Sequence, residues 1–567
     1  MLAGLGALLW LILLAGCGGG LRHFPLEEIV WVDEDQRPFA EPPASFYSSY
    51  SWDGADNSVF RPLSDLLIFE RSQRAINVNA LDEVPDSSWY VNRLSREAWS
   101  PERVARGPCA DLNDDLPGPW TIVGGKPDGA NPGFQIEDAT GQRYLMKTDG
   151  DLQAERPGAA DVIGSLIFYA AGYYAPCNRV VVFDRDNLVL GEGVEIERTN
   201  GTSEPLTNEL VSEVLEKATR LPDGRYRASV SQFVEGRPIS PWRYWGMRQD
   251  DPNDAVPHEH RRDLRGMYVL SAWTDHIDAR QENTMAAWMT VDEASGVGYV
   301  RHYVIDFGDC FGIIHAWDDL VKRFGHSGYL DLGDVVGDWL TLGMVDRPWF
   351  HAEYGEAGST LGYYDLHRFV ADRWTPGYAN NAYDRLQEAD AAWMTRIVAR
   401  FKDEHVRAMV ARGRFTNPTV SSELSRIING RRDRILDRWL TRLSPLTWPE
   451  VRVVDDGAVV CMQDLATWTG IREEGSRRYE TAAYVGTDLA PVPIGDAVRD
   501  DESWVCAKLP EVPGASASSP KYLVVDLRGT TADDETGPAR AHLYAMGGTE
   551  YRLVGLERPG STEAPTR

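Results

Sequence analysis

The chain has 567 residues and a formal net charge of -28 at pH 7. That length exceeds the roughly 100–200 residues of a single domain, so several domains and a sizeable core are expected. The negative charge repels phosphate backbones, and the basic run Arg431-Arg432-Asp433-Arg434 reads as a solvated helix face, which argues against a nucleic acid partner.

Residues 1–16 form a nearly unbroken apolar run ending in Leu14-Ala15-Gly16-Cys17. The run is too short to cross a hydrocarbon layer of about 30 Å comfortably, and it reads as a signal peptide over 1–17. Small residues before a cysteine resemble a bacterial lipobox. The resemblance implies cleavage before Cys17, lipidation of its thiol and a protein tethered to the membrane in the cell envelope, outside the cytoplasm. An uncleaved N-terminal anchor is the other reading. No later stretch reaches about 18 consecutive apolar residues. Setting Cys17 aside leaves Cys109, Cys177, Cys310, Cys461 and Cys506, an odd set in which Cys461 and Cys506 form the candidate pair because both sit in β-like runs.

Residues 18–119, rich in Pro, Ser, Asp and aromatics, read as a linker and an extension packed on the main domain, with a loop pinned by buried Trp89. Short β-type runs follow at 120–123, 133–136 and 143–147, then a helix over 159–172 ending at Gly172. Residues 180–183 and 188–190 read as a hairpin pair, and 228–236 as one more strand with its exit turn. Apolar residues at mixed three and four spacings predict helices over 264–274, 382–401 and 421–443. Before the first of these, 250–254 and 258–262 are polar clusters, read as a solvated loop and helix start with a substrate-facing loop as the alternative. His258 and His260 lack a third metal ligand in view. From 446 to 567, β-like runs at 451–454, 458–461, 522–525 and 542–544 predict a small β-sandwich-like domain, with 513–520 as a surface loop.

The chemistry concentrates between 120 and 445. His276-x-Asp278-x-Arg280-x-x-Asn283 is followed, after a hairpin-like stretch over 285–303, by Val304-Ile305-Asp306-Phe307-Gly308. Phosphoryl transfer requires the triphosphate cradled, a divalent ion held and the acceptor hydroxyl oriented. The first string resembles the H-R-D-x-K-x-x-N loop of protein kinases and the second their D-F-G element. The order of elements is closer to atypical kinases, HipA-type and phosphatidylinositol-kinase-like, than to eukaryotic protein kinases.

The resemblance implies an α+β fold with a two-lobed kinase-like core: a β-rich N-lobe over 120–237 and an α-rich C-lobe over 238–445. It implies that Asp278, with His276 and Arg280 beside it, does the catalytic work on the acceptor hydroxyl. Asn283 and Asp306 would hold Mg²⁺ or Mn²⁺. Lys147 would contact the ATP phosphates, with Asp161 as its helix-borne partner and Glu155 as the longer alternative. The glycine-containing loop with Gly125, Lys126, Gly129 and Gly133 would close over the phosphates through backbone N–H groups.

The function expected is an ATP- and Mg²⁺-dependent phosphotransferase at the cell envelope, with a protein or small-molecule hydroxyl as acceptor. The alternatives are a pseudokinase-like lipoprotein acting as a binding scaffold, and transfer of AMP in place of phosphate.

Overall fold

The computed structural model describes residues 21–560 except 48–51, 53–54, 62, 64–72, 114, 127–131, 198–202, 315–317, 330, 501 and 532–535. The apolar leader with Cys17 and the loop tip with Gly129 lie outside the described residues, and the Lys126 side chain is likewise not described. Among the described residues no helix is long and apolar enough to cross a membrane. The chain is a mixed α and β structure that divides into two compact units: one holds residues 30–79 and 83–440, the other 21–29, 80–82 and 441–560.

In the larger unit, a short helix α1 (Pro101–Arg106) precedes the strands β1 (Trp120–Lys126), β2 (Gly133–Glu137) and β3 (Arg143–Thr148). Helix α2 (Arg156–Ala171) comes next, then β4 (Asn178–Phe183), β5 (Leu188–Leu190), β6 (Glu195–Glu197), β7 (Ser203–Pro205), helix α3 (Asn208–Glu216) and β8 (Tyr226–Gln232). Six of the strands form one sheet in the order β4-β8-β3-β2-β1-β5, while β6 and β7 pair separately. Period-two alternation sends Phe134, Ile136, Tyr144 and Met146 to one face, where they pack with Trp120, Val181 and Val230.

The expected hairpin between 180–183 and 188–190 does not form. β4 pairs antiparallel with β8 at one edge of the sheet, and β5 pairs parallel with β1 at the other. Between them, Arg185–Asn187 forms a 3₁₀ turn closed by a capping box from Asp184, which redirects the chain instead of reversing it. A disulfide joins Cys109, just after α1, to Cys177 just before β4. Their separation of 68 residues left no local spacing signal.

Helix α2 is buried almost along its whole length and ends at Gly172, whose φ of 130° and contact with Tyr90 leave no room for a Cβ. After β9 (Arg237–Ser240), helix α4 (Arg262–Thr274) leads into the hairpin β10 (Thr284–Asp292) and β11 (Val297–Val304). These two strands and β9 make a three-stranded sheet. Trp89 is buried as expected, stacked on His302 of β11 with ring centroids 3.4 Å apart.

The later helices are α5 (Leu332–Leu340), α6 (Glu388–Val398), α7 (Asp403–Arg412) and α8 (Pro418–Leu440). The run predicted over 382–401 is thus a shorter helix preceded by a 3₁₀ turn at Tyr383–Arg385. The basic run on α8 is not wholly solvated: Arg431 is buried, its Nη1 donating to the Ala272 carbonyl at 3.1 Å and its Nε to the Asp365 carbonyl at 2.9 Å.

The smaller unit carries β12 (Leu446–Val454), β13 (Gly457–Asp464), β14 (Arg478–Val485), β15 (Ala490–Val492), β16 (Val498–Arg499), β17 (Trp504–Lys508), β18 (Lys521–Thr530), β19 (Ala539–Gly547) and β20 (Glu550–Glu557). They form antiparallel sheets in the orders β12-β13-β17-β16 and β15-β14-β18-β19-β20. Cys461 and Cys506 face each other across β13 and β17 and are disulfide-bonded. Residues 21–29, read from the sequence as linker, belong to this unit: Phe24 is buried against Tyr522, Val524 and Val554.

Candidate active site

Three elements converge on Lys147. It sits near the end of β3, its side chain buried, with Nζ 2.9 Å from Asp306 Oδ1 and 3.4 Å from Asp161 Oδ2. Burial alone would depress the ammonium pKa, but the two carboxylates outweigh it and hold the group charged above its ordinary range. Asp161 lies on the face of α2 turned to β3, where Ser229 Oγ of β8 also donates to it at 3.3 Å. Burial raises the Asp161 pKa, opposed by Lys147 and reinforced by Asp306. The Phe307 backbone N–H donates to Asp161 Oδ1 at 3.0 Å, so one carboxylate ties the lysine to the turn after β11. Glu155, the longer alternative, is engaged elsewhere, accepting from the Thr416 backbone N–H at 2.9 Å.

The β10–β11 register explains why Asn283 and Asp306 meet. Thr284 pairs with Val304 at the open end of the hairpin, and Ile305 N donates to the Asn283 carbonyl at 3.0 Å, so the residues flanking each strand end are neighbours. Asn283 Nδ2 donates to Asp278 Oδ2 at 2.9 Å and to the Asp278 carbonyl at 2.7 Å. That commitment leaves the amide carbonyl as the Asn283 atom suited to a cation. Asp306 has φ 58°, a left-handed conformation rare outside glycine, and its side chain is 40% exposed.

Asp278 is half-buried, its side chain 26% exposed. Burial pushes its pKa up to about 6, against the pull of Arg280, whose Nε is 2.7 Å from Asp278 Oδ1. Arg280 also lies over the Tyr378 ring, 4.8 Å from its centroid.

His276, grouped in the sequence with the residues acting on substrate, is fully buried behind this loop, so it cannot touch a substrate. Its Nδ1 is 2.7 Å from Asp309 Oδ1, and the other Asp309 oxygen accepts the Asp278 backbone N–H at 2.8 Å. Burial lowers the His276 pKa, but the charge and hydrogen bond of Asp309, with the other nearby carboxylates, outweigh it and hold the imidazole above its ordinary range. Asp309 therefore fixes where Asp278 sits, and no motif in the chain pointed to it.

Two further residues escaped the sequence reading. Arg156, at the start of α2, donates from Nη1 to the carbonyls of Gly308 at 2.8 Å and Cys310 at 2.7 Å. Gln153 donates to the Gly312 carbonyl at 2.7 Å and accepts from Ile314 N at 2.8 Å. Together they brace the chain that leaves Asp306. Phe307 is buried against Phe168 and His276, and Gly164 leaves it space, since a Cβ there would lie 2.5 Å from the Phe307 Cβ.

Gly125 ends near the tip of β1 and pairs in register with Phe134, and Gly133 opens β2 opposite Lys147, with its Cα too close to the Met146 carbonyl for any side chain. Of the sequence histidines 258 and 260, His258 Nε2 meets Asp254 at 2.8 Å and His260 Nδ1 meets Arg265 at 2.8 Å.

The donor set suits a hard divalent cation, since Asp306 offers a carboxylate open to solvent and Asn283 an amide oxygen on the adjacent chain. Lys147 supplies a fixed positive charge beside them. The arrangement can bind a phosphate-bearing ligand and orient a hydroxyl at Asp278.

No family model matches the chain, and no curated protein matches it. Among solved structures, the Golgi casein kinase with Mn/ADP bound is similar at 13% identity, covering 68% of this chain and 97% of that one, with a TM-score of 0.23. At that score the match adds nothing to what the side chains show.

Proposed function

We propose that the protein is an ATP-dependent phosphotransferase of two-lobed kinase-like build that moves the γ-phosphoryl group to a protein or small-molecule hydroxyl. The observation that carries this reading is the buried Lys147 ammonium held between Asp161 on α2 and Asp306 after β11. A buried cation bridging two acids from separate elements is costly to assemble as mere structure. Here one of the acids stays open to solvent, where a nucleotide and its metal can exchange for it.

Lys147 would neutralise phosphate oxygens and Asp161 would hold its reach. Asp306 and Asn283 would hold Mg²⁺ or Mn²⁺, which supplies charge neutralisation at the β- and γ-phosphates when bound. Asp278, with a pKa of about 6, is ionised at neutral pH and accepts the hydrogen bond of the acceptor hydroxyl, with Arg280 setting its orientation. His276 and Asp309 position it from behind. The main chain around Gly125, Lys126, Gly129 and Gly133 would cover the phosphates. The lipobox-like leader supports anchoring through Cys17 at the cell envelope.

Thermal stabilisation by ATP with Mg²⁺ or Mn²⁺, repeated on Asp306→Ala, tests the binding step. Transfer is read by incubation with γ-labelled and α-labelled ATP: label from the γ-position alone is expected, whereas α-label in the acceptor would replace the reading with AMP transfer. Nucleotide stabilisation without any transfer would leave a binding scaffold.

A further inference from the structure

The chain between β9 and α4 has no part in the proposed phosphotransfer, yet with Ala44 and Phe46 it lines a cavity of about 290 Å³ that is open to solvent on one side. Its walls are apolar rings and chains, chiefly Phe46, Trp242, Trp245 and Met247. Two neutral polar groups are set into it. Gln281 is 6% exposed, and among the described residues its side-chain amide makes no hydrogen bond. His302 is clamped on Trp89, takes Ser88 Oγ at Nδ1 at 3.3 Å, and is kept neutral by a pKa that burial drives well below its ordinary value. Both line the cavity, so a ligand entering it meets the Gln281 amide and the His302 ring as hydrogen-bonding groups.

The charges at the cavity are unequal. Arg248 is committed, with Nε 2.9 Å from Asp250 and Nη1 donating to Ser240 Oγ at 2.7 Å. Arg243 is exposed and makes no ion pair among the described residues; its guanidinium lies 5.3 Å from the Trp245 ring centroid and 5.7 Å from that of Phe46. A cation is thus left over an aromatic wall, with hydrogen-bonding groups deeper in and apolar surface between.

We propose that this cavity binds a small aromatic anion: a planar ring with a carboxylate or phosphate at the Arg243 end and a hydroxyl reaching Gln281 and His302. The site does not depend on the phosphotransfer reading, although Gln281 belongs to the same loop as Asp278 and Asn283.

The test is calorimetric and Trp-fluorescence titration of the full chain with 4-hydroxybenzoate, 4-hydroxyphenyl phosphate and the neutral 4-methylphenol. At least one anion is expected to saturate about tenfold more tightly than the neutral ring, and the tighter of the two distinguishes carboxylate from phosphate. Arg243→Ala should erase the preference for the anion, Gln281→Leu should weaken both anions, and Met247→Trp should fill the cavity and abolish binding. Asp306→Ala should leave these affinities unchanged while losing nucleotide, which separates this site from the other. No saturable binding of either anion, or affinities untouched by both Arg243→Ala and Met247→Trp, would overturn the proposal.

Discussion

Asp306 and Asp309 stand in one turn after β11 and are used in opposite ways. Asp306 keeps its side chain 40% exposed, takes a strained backbone, and shares Lys147 with Asp161. Asp309 is 7% exposed and spends both oxygens inside the protein, one on His276 and one on the Asp278 backbone. The first acid can give up its partner to an incoming ligand at little cost. The second cannot, because two buried donors would be orphaned. A functional group and its support are therefore separable by exposure and by what loses a hydrogen bond when the acid is gone.

The sharpest way to break this contrast is to truncate each acid. Asp306→Ala should lower phosphotransfer by about 10³-fold or more while changing stability by no more than about 1 kcal/mol, since Asp161 still neutralises Lys147. Asp309→Ala should destabilise the larger unit by about 3–5 kcal/mol, as expected when one partner of a buried pair is removed. Initial rates with γ-labelled ATP and urea denaturation of each variant give both numbers. Equal stability losses in the two would erase the distinction.

Lys147→Met comes next. It should reduce the rate by about 10²-fold and also destabilise the fold by about 2–3 kcal/mol, because the buried Asp161 carboxylate is left without its cation. Measured on the same urea curves, it should fall between the two aspartates. A Lys147→Met protein as stable as the wild type would mean that Asp161 is neutral in the fold and the ion pair is not formed.

What the sequence revealed of this region follows the same division. Lys147, Asp278, Asn283 and Asp306 stood out because short strings of residue types around them resemble known motifs. The structure brings Asn283 to Asp278, five residues away, and also Lys147 to Asp306, a long-range contact that no local spacing specifies. Asp161 was reachable by counting turns back from Gly172. Asp309, Arg156 and Gln153 were not legible, because their roles arise from contacts such as Arg156 to Gly308, 152 residues apart, which no local pattern encodes. The same limit hid the Cys109–Cys177 bridge and the parallel pairing of β5 with β1, whereas Cys461 and Cys506 sat on runs already legible as strands. His276 was misplaced for a related reason: its spacing to Asp278 matches a motif, but only its burial shows that it faces inward.

The pH dependence sharpens the comparison from the Asp278 side. Its pKa is raised from 3.8 to about 6, so the folded protein binds this proton more tightly than the unfolded chain does. Its contribution to stability is therefore greatest below about pH 4 and declines as pH rises to about 6, after which the charged, half-buried carboxylate is a constant penalty. Asp278→Asn removes that slope. Relative to wild type it should gain about 1–3 kcal/mol between pH 4 and pH 7 in urea denaturation, while phosphotransfer is lost. A difference that stays flat with pH would show that Asp278 titrates normally and is not held for function.

The smallest effect expected is on Arg280. After burial, which raises the Asp278 pKa, this guanidinium is the largest influence that lowers it. Arg280→Gln should therefore move the acid limb of the rate profile upward by about one pH unit. At pH 8, where Asp278 is ionised in both proteins, the rates should agree within about threefold; at pH 6 the variant should be slower by about a further fivefold. The wild-type limb should lie near pH 6, set by the free acid at Asp278. A uniform loss at every pH would assign Arg280 to binding the acceptor or the nucleotide, whereas a shifted limb with an unchanged plateau assigns it to holding the charge on Asp278, a residue that Asp309 instead holds in place through its backbone N–H.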